Sequence, residues 1–282
     1  MSEKVSVYIP AYNAEKTIEH SINSIKNQSY SVDEIIVIDD NSSDRTSEIV
    51  NNFKEVVLIK NQKNMGLGFS RNLAIEKSSN EIVGSIDSDV TIDKNWLEIL
   101  LNNLNKNQVV MCGGKMEEKF IENRINAWRA KYYSQNWGVN DMLNPPFLYG
   151  CNTLLVKTLW NNVKGYNEEL LTNGEDIDFS NKIRSLGNSN LFYSSRALSH
   201  HLQNDDIKSL SKRVWRYHSF GYKIKTPSIY RILKLSIKQL KFLIKRLVEN
   251  IFKLNFFFIY LSFVIFITFI KLEICNYLKI KK

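Results

Sequence analysis

The chain has 282 residues, of which 44% are hydrophobic and 24% are charged, and this composition excludes a chain that is disordered throughout. Its net charge of +9 is unevenly spread, because residues 1–222 hold 25 Lys and Arg against 27 Asp and Glu, whereas residues 223–282 hold 13 against 2. A basic excess confined to a hydrophobic tail is typical of a membrane-surface segment and argues against nucleic acid as the partner.

The three cysteines, Cys112, Cys151 and Cys275, are odd in number and far apart in the sequence. They form neither a disulfide framework nor a zinc-binding pattern, so we expect reduced thiols. No apolar leader precedes the first strand-like run at residue 5, and we therefore expect the bulk of the chain to remain in the cytosol.

The first 90 residues alternate between strand and helix signals. Short apolar runs predict strands at residues 5–9, 34–39, 56–60 and 82–86. Helices are predicted at residues 14–28, where Ile18, Ile22 and Ile25 recur at helical spacing, and at residues 68–78. Helices between short apolar strands imply βαβ units, so the sequence predicts an α/β fold with a mostly parallel, Rossmann-like sheet flanked by helices.

Polar or turn-rich sequences follow each of these four strands. They lie at residues 10–13, 39–41, 61–68 and 87–89. In open α/β sheets, ligands bind beyond the carboxyl ends of the strands. The strand order alone therefore predicts a binding site where these four sequences converge.

The pattern is less regular between residues 109 and 201. Further strands are predicted at residues 109–116 and 148–156, and residues 189–201 are predicted to be extended. A helix is predicted at residues 175–186, where Gly187 ends it. The polar and aromatic segment 120–147 is predicted to cover or shape a pocket.

The sequence Asp87-Ser88-Asp89 follows an apolar strand. Two carboxylates at positions i and i+2 in such a turn can face one hard cation, since magnesium or manganese takes one or two carboxylates together with phosphate oxygens. The alternative is a solvated turn, because short D-x-D sequences occur often by chance.

Acidic residues also begin the helix at residue 175. The helix dipole alone explains acids in a first turn. The catalytic alternative is that the dipole keeps Asp176 ionised, ready to accept a proton from a hydroxyl group. His200 and His201 end the following extended run, where they are either structural or able to supply one imidazole to a metal.

The sequence Gly66-Leu67-Gly68-Phe69-Ser70-Arg71 matches half of a dinucleotide-binding glycine fingerprint. It follows the third strand rather than the first, and Arg71 replaces the last glycine, which argues against a nicotinamide cofactor. We expect the glycines to let the chain pass close to a ligand or a neighbouring strand.

Taken together, these segments resemble the family-two glycosyltransferases, a large group of inverting enzymes with a GT-A fold. The resemblance covers about residues 4–222. It is carried by VSVYIPAYN (5–13), NSIKNQSY (23–30), EIIVIDDNSSDRT (34–46), NMGLGFSRNLAI (64–75), IVGSIDSDV (82–90), GCNTLLVKTLW (150–160), GYNEEL (165–170), GEDIDFSNKIRSLG (174–187) and SHHLQNDDIKSLSKRVWRYHSFG (199–221).

The resemblance implies a donor-binding set. Tyr12 would lie against the nucleotide base, and Asp40, with Asp39 beside it, would hydrogen-bond the base or the ribose. Arg71 would lie near the nucleotide, and Asp87 would meet the donor ribose or sugar. The implied donor is a nucleotide sugar, with a UDP-sugar as the default.

The resemblance also implies the groups that perform the chemistry. Asp89 would hold a divalent metal ion, Mn²⁺ or Mg²⁺, and His200 or His201 would complete the metal shell. Asp176 would be the general base for the acceptor hydroxyl. The sequence departs from the family pattern at KGYN (164–167), which replaces a GGFD-like turn and leaves the local loop geometry open.

The resemblance implies inverting transfer to a hydroxyl group of a glycan or a lipid-linked oligosaccharide, in the synthesis of a cell-surface polysaccharide or glycoconjugate. Alternatives are a polyprenyl-phosphate sugar synthase and a catalytically dead, membrane-anchored sugar-binding protein. A sugar-1-phosphate nucleotidyltransferase would need a glycine-rich basic loop after the first strand, and the loop PAYNAE (10–15) does not provide one.

We expect the catalytic domain to cover residues 1–222 and a membrane-associated tail to cover residues 223–282. In the tail, basic residues step by three or four along one predicted helix face: Arg231, Lys234, Lys238, Lys241 and Lys245. The uncharged segment 254–270, bracketed by Lys253 and Lys271, approaches the length of a single span, which we favour over a helix that re-enters the membrane or lies on its surface. We expect the protein at the cytoplasmic face of the cell membrane, where its donor is supplied.

Overall fold

The computed structural model describes residues 3–106, 109–187, 190–219 and 228–280. The chain divides into two compact units, which we call the sheet unit (Met1–Lys119 and Ser134–Gln203) and the helical unit (Phe120–Tyr133 and Asn204–Lys282). The domain boundary predicted between residues 222 and 223 lies outside the described residues. The helical unit draws on two separate stretches of chain, so it includes segments that the sequence assigned to the catalytic domain.

The sheet unit contains nine strands and six helices among its described residues. The strands are β1 (Val5–Ala11), β2 (Glu34–Asp39), β3 (Val56–Lys60), β4 (Ile82–Ile86), β5 (Val90–Ile92), β6 (Met111–Glu118), β7 (Met142–Leu143), β8 (Asn152–Val156) and β9 (Leu191–His201). The helices are α1 (Ile18–Lys26), α2 (Thr46–Asn51), α3 (Leu67–Lys77), α4 (Trp96–Lys106), α6 (Lys157–Asn162) and α7 (Glu175–Ser185).

All nine strands belong to one mixed sheet, in the order β3-β2-β1-β4-β8-β6-β9-β5, with β7 paired to β9. The four strands β3, β2, β1 and β4 are parallel, as the βαβ pattern predicted. Beyond β4 the sheet changes character, because β8 is antiparallel to both β4 and β6, whereas β6 and β9 are parallel. The carboxyl end of β4 therefore lies beside the start of β8, and both ends contribute to the site described below.

The sheet is covered by hydrophobic side chains on both faces. All seven residues of β1 are buried, as expected for a central strand with helices on either side. On one face Ile18, Ile22 and Ile25 of α1 pack against the strands, which confirms the helical spacing read from the sequence. On the other face Phe179 and Ile183 place α7 against the sheet. Burial of such side chains stabilises each one by about 1.5–3 kcal/mol relative to exposure.

The helical unit contains α5 (Arg124–Tyr132), α8 (Ile207–Ser219), α9 (Ile229–Phe252) and α10 (Phe256–Ile280). These helices share a small apolar core of buried residues: Trp128, Leu210, Val214, Phe258, Leu261 and Ile265. Helix α9 contains the basic residues between positions 231 and 245 that were predicted to lie along one helix face. Helix α10 continues beyond the predicted end of the apolar segment at residue 270, and its stretch Phe256–Leu278 is long and apolar enough to cross a membrane.

Candidate active site

The centre of the site is the side chain of Arg71, on α3, which is only 1% exposed. One guanidinium nitrogen donates to the Ser85 hydroxyl at 2.5 Å and to the Gly150 carbonyl at 2.7 Å. The other terminal nitrogen donates to Asp87 Oδ1 at 2.8 Å, and Nε lies 3.5 Å from Glu175 Oε1. Arg71 therefore ties together the ends of β4, β8 and α7.

Arg71 was predicted to lie near the nucleotide, and the structure gives it contacts to protein groups. A buried guanidinium is stable only when its donors meet acceptors or negative charges. Asp87 and Glu175 supply that charge and, against the opposing effect of burial, raise the pKa of Arg71 well above its usual value. Gly150 is matched to this arrangement, because a Cβ atom there would lie 3.1 Å from Arg71 Cζ.

Helix α7 begins beside this cluster with Glu175 and Asp176. The Asp176 carboxylate accepts hydrogen bonds from the Ile177 backbone N–H at 2.8 Å and, more weakly, from the Gly150 N–H at 3.4 Å. Burial raises the pKa of Asp176, while nearby Arg71 and the two N–H groups offset part of that rise. The result is a fixed carboxylate with a greater proton affinity than an ordinary aspartate.

Glu175 differs from its neighbour because it is 3% exposed and its Oε2 has no hydrogen-bond partner among the described residues. Burial raises its pKa to about 8, and the adjacent Asp176 adds to the rise. Asp87 behaves similarly, since burial raises its pKa and Arg71 opposes the effect. The cluster thus holds three carboxyl groups around one guanidinium, an arrangement in which protonation states are closely linked.

The structure separates the two candidate histidines. Side chains alternate along a strand, so consecutive residues of β9 point to opposite faces. His201 Nε2 lies 3.3 Å from Asp89 Oδ2, and its Nδ1 lies 3.1 Å from Glu118 Oε2. His200 Nε2 instead meets Asp93 at 2.9 Å. Of the two candidates, only His201 lies with Asp89.

Asp89 and His201 offer one carboxylate and one imidazole side by side, which is a donor set that suits Mn²⁺ and is completed by phosphate oxygens in many sites. Glu118 contacts His201 Nδ1, the ring nitrogen that does not face Asp89. A metal-binding histidine usually has such a carboxylate on the nitrogen that does not bind the metal. Among the described residues, no group of three or more His, Cys, Asp or Glu side chains has the geometry to hold a metal unaided.

Asp39 and Asp40, at the end of β2, are both buried and both engaged by protein donors. Asp39 accepts from the Ser42 N–H at 2.8 Å and from the Ser47 hydroxyl. Asp40 accepts from the Asn61 side chain and the Met65 N–H, each at 2.7 Å, and from the Gly66 N–H at 2.8 Å. These bonds fix the loops that follow β2 and β3.

Tyr12 follows β1 and is 53% exposed, so its ring is available to a planar ligand. The next residue, Asn13, has a positive φ of 51° and joins this loop to the one after β2. Its N–H donates to the Ser42 hydroxyl at 2.9 Å, and its side-chain oxygen accepts from the Ser43 N–H at 2.8 Å. The loops after β1 and β2 therefore form one rigid surface.

The glycines of the 66–71 run face a neighbouring loop of the protein. A Cβ atom on Gly68 would lie 2.7 Å from the Asn167 carbonyl oxygen, and one on Gly66 would lie 3.1 Å from the Leu171 backbone. The Leu67 N–H donates to the Leu171 carbonyl at 2.9 Å. The glycines thus seat the loop 165–171, which leads into α7. At the unusual KGYN turn, Lys164 has a left-handed φ of 56°.

Ser85, Gly150 and Glu118 belong to the site but were not predicted. Ser85 and Gly150 occur inside segments that otherwise read as strand and strand entry, where a small residue gives no signal of its own. Glu118 meets His201 because β6 pairs with β9 in a register that aligns residue 118 with residue 201. That pairing follows from tertiary structure, since a register shift between Gly114 and Lys115 precedes it.

Comparison with known sequences and structures places the chain among proteins that transfer sugars. The family model described as Glycosyl transferase family 2 matches residues 6–163, more than half of the chain. Chondroitin synthase of Escherichia coli is 28% identical over 247 residues, which cover 84% of this chain and 34% of that protein.

Two further relatives match shorter segments. UDP-Glc:alpha-D-GlcNAc-diphosphoundecaprenol beta-1,3-glucosyltransferase WfgD of E. coli is 36% identical over 115 residues, covering 40% of this chain and 46% of that protein. An uncharacterized glycosyltransferase of Haemophilus influenzae is 39% identical over 114 residues, covering 39% of this chain and 46% of that protein. The matched segments thus span less than half of the length of these relatives.

Solved structures share the fold. A fragment of Staphylococcus aureus TarS comprising residues 1–349 has a TM-score of 0.59 at 22% identity, covering 75% of this chain and 64% of that one. The mannosyltransferase PcManGT from Pyrobaculum calidifontis, solved with GDP-Man and Mn²⁺, has a TM-score of 0.61 at 18% identity, covering 78% of this chain and 62% of that one. The sheet unit therefore has a GT-A-type fold.

Proposed function

The chain belongs to glycosyl transferase family 2, and from that premise we propose that it transfers a sugar from a nucleoside-diphosphate donor to an acceptor hydroxyl group with inversion. One observation carries the proposal. Arg71 brings the donor-side carboxylate Asp87 and the base-side pair Glu175 and Asp176 to the same edge of the sheet. In a single displacement the acceptor oxygen attacks the anomeric carbon from the side opposite the leaving diphosphate and gives its proton to a base. This cluster would hold a donor-binding carboxylate and such a base on one rigid frame.

Donor binding falls to the loops after β1 and β2. Tyr12 offers an exposed ring on which a nucleotide base can stack. Asp39 and Asp40 hold these loops and the loop 61–66 in place, and an ionised carboxylate that accepts three N–H bonds keeps a further lone pair for a ribose or base donor. Asp87 follows β4, on the other side of β1 from β2, and would meet the sugar or ribose. A UDP-sugar is the proposed donor.

Asp89 and His201 would hold the divalent cation, Mn²⁺ or Mg²⁺. When bound, such an ion offsets the negative charge that develops on the leaving diphosphate. The Glu118 carboxylate accepts from His201 Nδ1 and so presents the other ring nitrogen, Nε2, toward Asp89. The mannosyltransferase PcManGT, solved with GDP-Man and Mn²⁺, supports a metal in a site built on this fold.

Asp176 is the proposed general base. The Ile177 and Gly150 N–H groups orient its carboxylate. Burial raises its pKa toward neutral pH, and a general base works best when its pKa is near the pH of the reaction. Glu175 lies deeper in the protein than Asp176 and contacts Arg71, so it is less accessible to an acceptor hydroxyl group. Its role is to contact Arg71 and stabilise the start of α7.

The proposed acceptor is a hydroxyl group of a glycan or of a lipid-linked oligosaccharide, in the synthesis of a cell-surface polysaccharide or glycoconjugate. Two relatives support this class of acceptor by name, a chondroitin synthase and a glucosyltransferase that acts on a diphosphoundecaprenol-linked sugar. The apolar helix Phe256–Leu278 supports association with a membrane, and the cytosolic supply of nucleotide sugars supports its cytoplasmic face.

The proposal is tested with purified full-length protein and a panel of UDP-, GDP- and CMP-linked sugars in the presence of Mn²⁺. A donor stabilises the folded state by mass action, so one member should raise the melting temperature in proportion to the logarithm of its concentration. The same donor should release nucleoside diphosphate when a lipid-linked glycan extract is added. Stabilisation without release by any acceptor would indicate a sugar-binding protein, and no stabilisation by any member would overturn the proposal.

A further inference from the structure

Helix α10 has one face that is committed to protein and one that is not. Its buried residues recur every three or four positions and include Phe258, Leu261, Ile265, Phe269 and Glu273. The opposite face is exposed and, apart from Lys271, apolar: Phe256, Tyr260, Phe263, Ile267, Ile274 and Leu278. A helix that crosses a bilayer alone would show no such division, because lipid would surround it on all sides.

Polar contacts fix the protein-facing side. The Trp128 indole N–H on α5 donates to the Ser262 hydroxyl at 3.1 Å, and the Trp215 indole N–H on α8 donates to Glu273 Oε1 at 2.8 Å. Glu273 is only 4% exposed, so its carboxyl group depends on partners within the helical unit. Helix α10 is therefore held along its length by the other helices of its own unit.

Helix α9 runs beside α10 in the opposite direction. The two helices are joined by residues 253–255. The His218 ring on α8 lies between them, with its centroid 5.9 Å from that of Phe242 on α9 and 6.1 Å from that of Phe269 on α10. Phe242 lies ten residues before the end of α9, and Phe269 lies thirteen residues after the start of α10. The middle of α9 thus lies at the same level as the middle of α10.

Helix α9 carries three separate faces. The buried face includes Arg246, whose guanidinium lies 4.7 Å from the Trp128 ring and 5.1 Å from the Tyr132 ring and donates to the Tyr133 hydroxyl at 2.9 Å. The second face is exposed and apolar: Tyr230, Leu233, Ile237, Leu240, Ile244, Val248 and Ile251. The third face is exposed and basic: Lys234, Lys238, Lys241 and Lys245.

The basic face is not neutralised by acids of its own helix. Glu249 is the one acidic residue within α9, and it is paired with Lys131 at 2.7 Å and Lys253 at 3.6 Å. An anionic bilayer surface has a layer of lipid phosphates above a layer of acyl chains. The exposed lysines match the phosphate layer, and the exposed apolar stripe beside them matches the acyl chains.

We propose that the helical unit binds an anionic bilayer surface as a monotopic anchor, with α9 and α10 lying in the plane of the interface rather than crossing it. The apolar faces of both helices enter the headgroup and acyl boundary, and the four lysines contact lipid phosphates. If α10 crossed the bilayer, its neighbour α9 would carry Lys238, Lys241 and Lys245 into the hydrocarbon, where charged side chains are strongly disfavoured. This deepens the membrane association proposed above and rests on it.

Depth measurements test the proposal on the full chain. Cys275 is exposed whereas Cys112 and Cys151 are buried, so a Cys275→Ser background leaves no exposed native thiol. Tyr260→Cys, Ile267→Cys and Leu278→Cys then place single labels along the exposed face of α10. With an environment-sensitive fluorophore and phosphatidylcholine–phosphatidylglycerol vesicles, spin-labelled lipids should quench all three labels at one shallow depth. A reductant added outside the vesicles should bleach all three.

A spanning helix gives the opposite pattern, with the label at position 267 deepest and the label at position 278 protected from the external reductant. That result would overturn the monotopic anchor but leave membrane association and glycosyl transfer intact. Absence of binding to any vesicle, or self-association of the lipid-free protein that buries all three labels, would overturn both the anchor and the membrane association. Donor stabilisation, measured on the same protein, reports separately on the enzyme proposal.

The basic face is tested by changing Lys234, Lys238, Lys241 and Lys245 to Gln. Each lysine near an anionic surface contributes about fivefold to binding, so the variant should lose at least about 100-fold in affinity for anionic vesicles. The matched control changes four exposed lysines of the sheet unit, Lys16, Lys54, Lys94 and Lys106, to Gln and should bind nearly as the parent does. Two results would overturn the role of the lysine face. One is an equal loss of affinity in both variants, and the other is that the parent protein binds vesicles of phosphatidylcholine alone as tightly as it binds anionic vesicles.

Discussion

Two groups of buried or partly buried carboxylates, one at the end of a strand and one at the start of a helix, differ in how completely the protein satisfies them. Asp39 and Asp40, after β2, receive N–H and hydroxyl donors from the loops around them. Glu175 and Asp176, beside the ends of β4 and β8, lie near one buried guanidinium, and burial raises the pKa of both. A satisfied buried carboxylate fixes backbone, whereas one with a raised pKa is poised to exchange a proton.

Asp176→Asn should have the largest effect on turnover. The amide keeps the shape of the carboxylate but cannot accept a proton, so turnover should fall by roughly 10²–10⁴-fold. Donor binding should persist, because Asp176 contacts the backbone N–H groups of Ile177 and Gly150 rather than the loops that are proposed to hold the nucleotide. Steady-state transfer rates and donor-induced thermal stabilisation measure the two properties separately. A variant that transfers sugar at the parental rate would remove Asp176 from the mechanism.

The two adjacent histidines provide a matched pair for the metal. His201→Ala should raise the Mn²⁺ concentration needed for half-maximal activity by at least about tenfold, the scale seen when groups that hold or orient a metal are removed. His200→Ala should leave it unchanged, because His200 lies against Asp93 on the other face of β9. Manganese titrations of transfer activity measure both. Equal shifts in the two variants would contradict the assignment of His201.

Asp40→Ala should lower the free energy of unfolding, and this should be a larger effect than any change in the rate of sugar transfer. It removes the acceptor of the Met65 and Gly66 N–H groups and of the Asn61 side chain, and unsatisfied buried donors cost about 1–3 kcal/mol. Urea denaturation measures the change in the free energy of unfolding. The control Asp93→Ala removes a half-exposed carboxylate that contacts His200 and should change stability little. If Asp40→Ala is as stable as the control, the loop is not held by these bonds.

Glu175→Gln should change how the stability of the protein depends on pH. The folded state raises the pKa of Glu175 from 4.5 to about 8, so it binds more protons than the unfolded state between these values. The free energy of unfolding of the parent should therefore fall as the pH rises from about 4.5 to about 8. The glutamine variant should show a shallower fall, since Asp176 remains in both proteins. Parallel profiles would show that Glu175 does not titrate in this range.

The parallel half of the sheet could be predicted because its signals are local. Each of its four strands is a short apolar run, and α1 repeats apolar residues at helical spacing, so these elements follow from the sequence. In the other half the strands β6, β8 and β9 were predicted, but their pairing was not. The antiparallel pairing of β8 with β4, and the two-residue strand β7, depend on contacts between segments that are far apart in the sequence.

The sequence identified candidate site residues by their type, whereas their partners emerged only from the structure. D-x-D and E-D motifs are visible in the sequence, and the structure brings Asp87 and Asp176 to one edge of the sheet. The sequence did not reveal that Arg71 joins them, because its partners Ser85 and Gly150 lie on other elements. Nor could it choose between His200 and His201, since the answer depends on which face of β9 meets Asp89.

The seat that Gly66 and Gly68 form for the loop 165–171 has a consequence for efforts to redesign substrate preference. Because these glycines resemble a ligand-binding motif, they would be chosen as targets for mutagenesis. The backbone of Asn167 and Leu171, however, occupies the space that a Cβ atom at either position would need. A larger residue there acts as a wedge that displaces the loop and, through residues 172–174, the start of α7. Such variants would change activity by displacing the loop and not by altering a substrate contact. A mutant library that targets acceptor specificity should therefore keep both glycines.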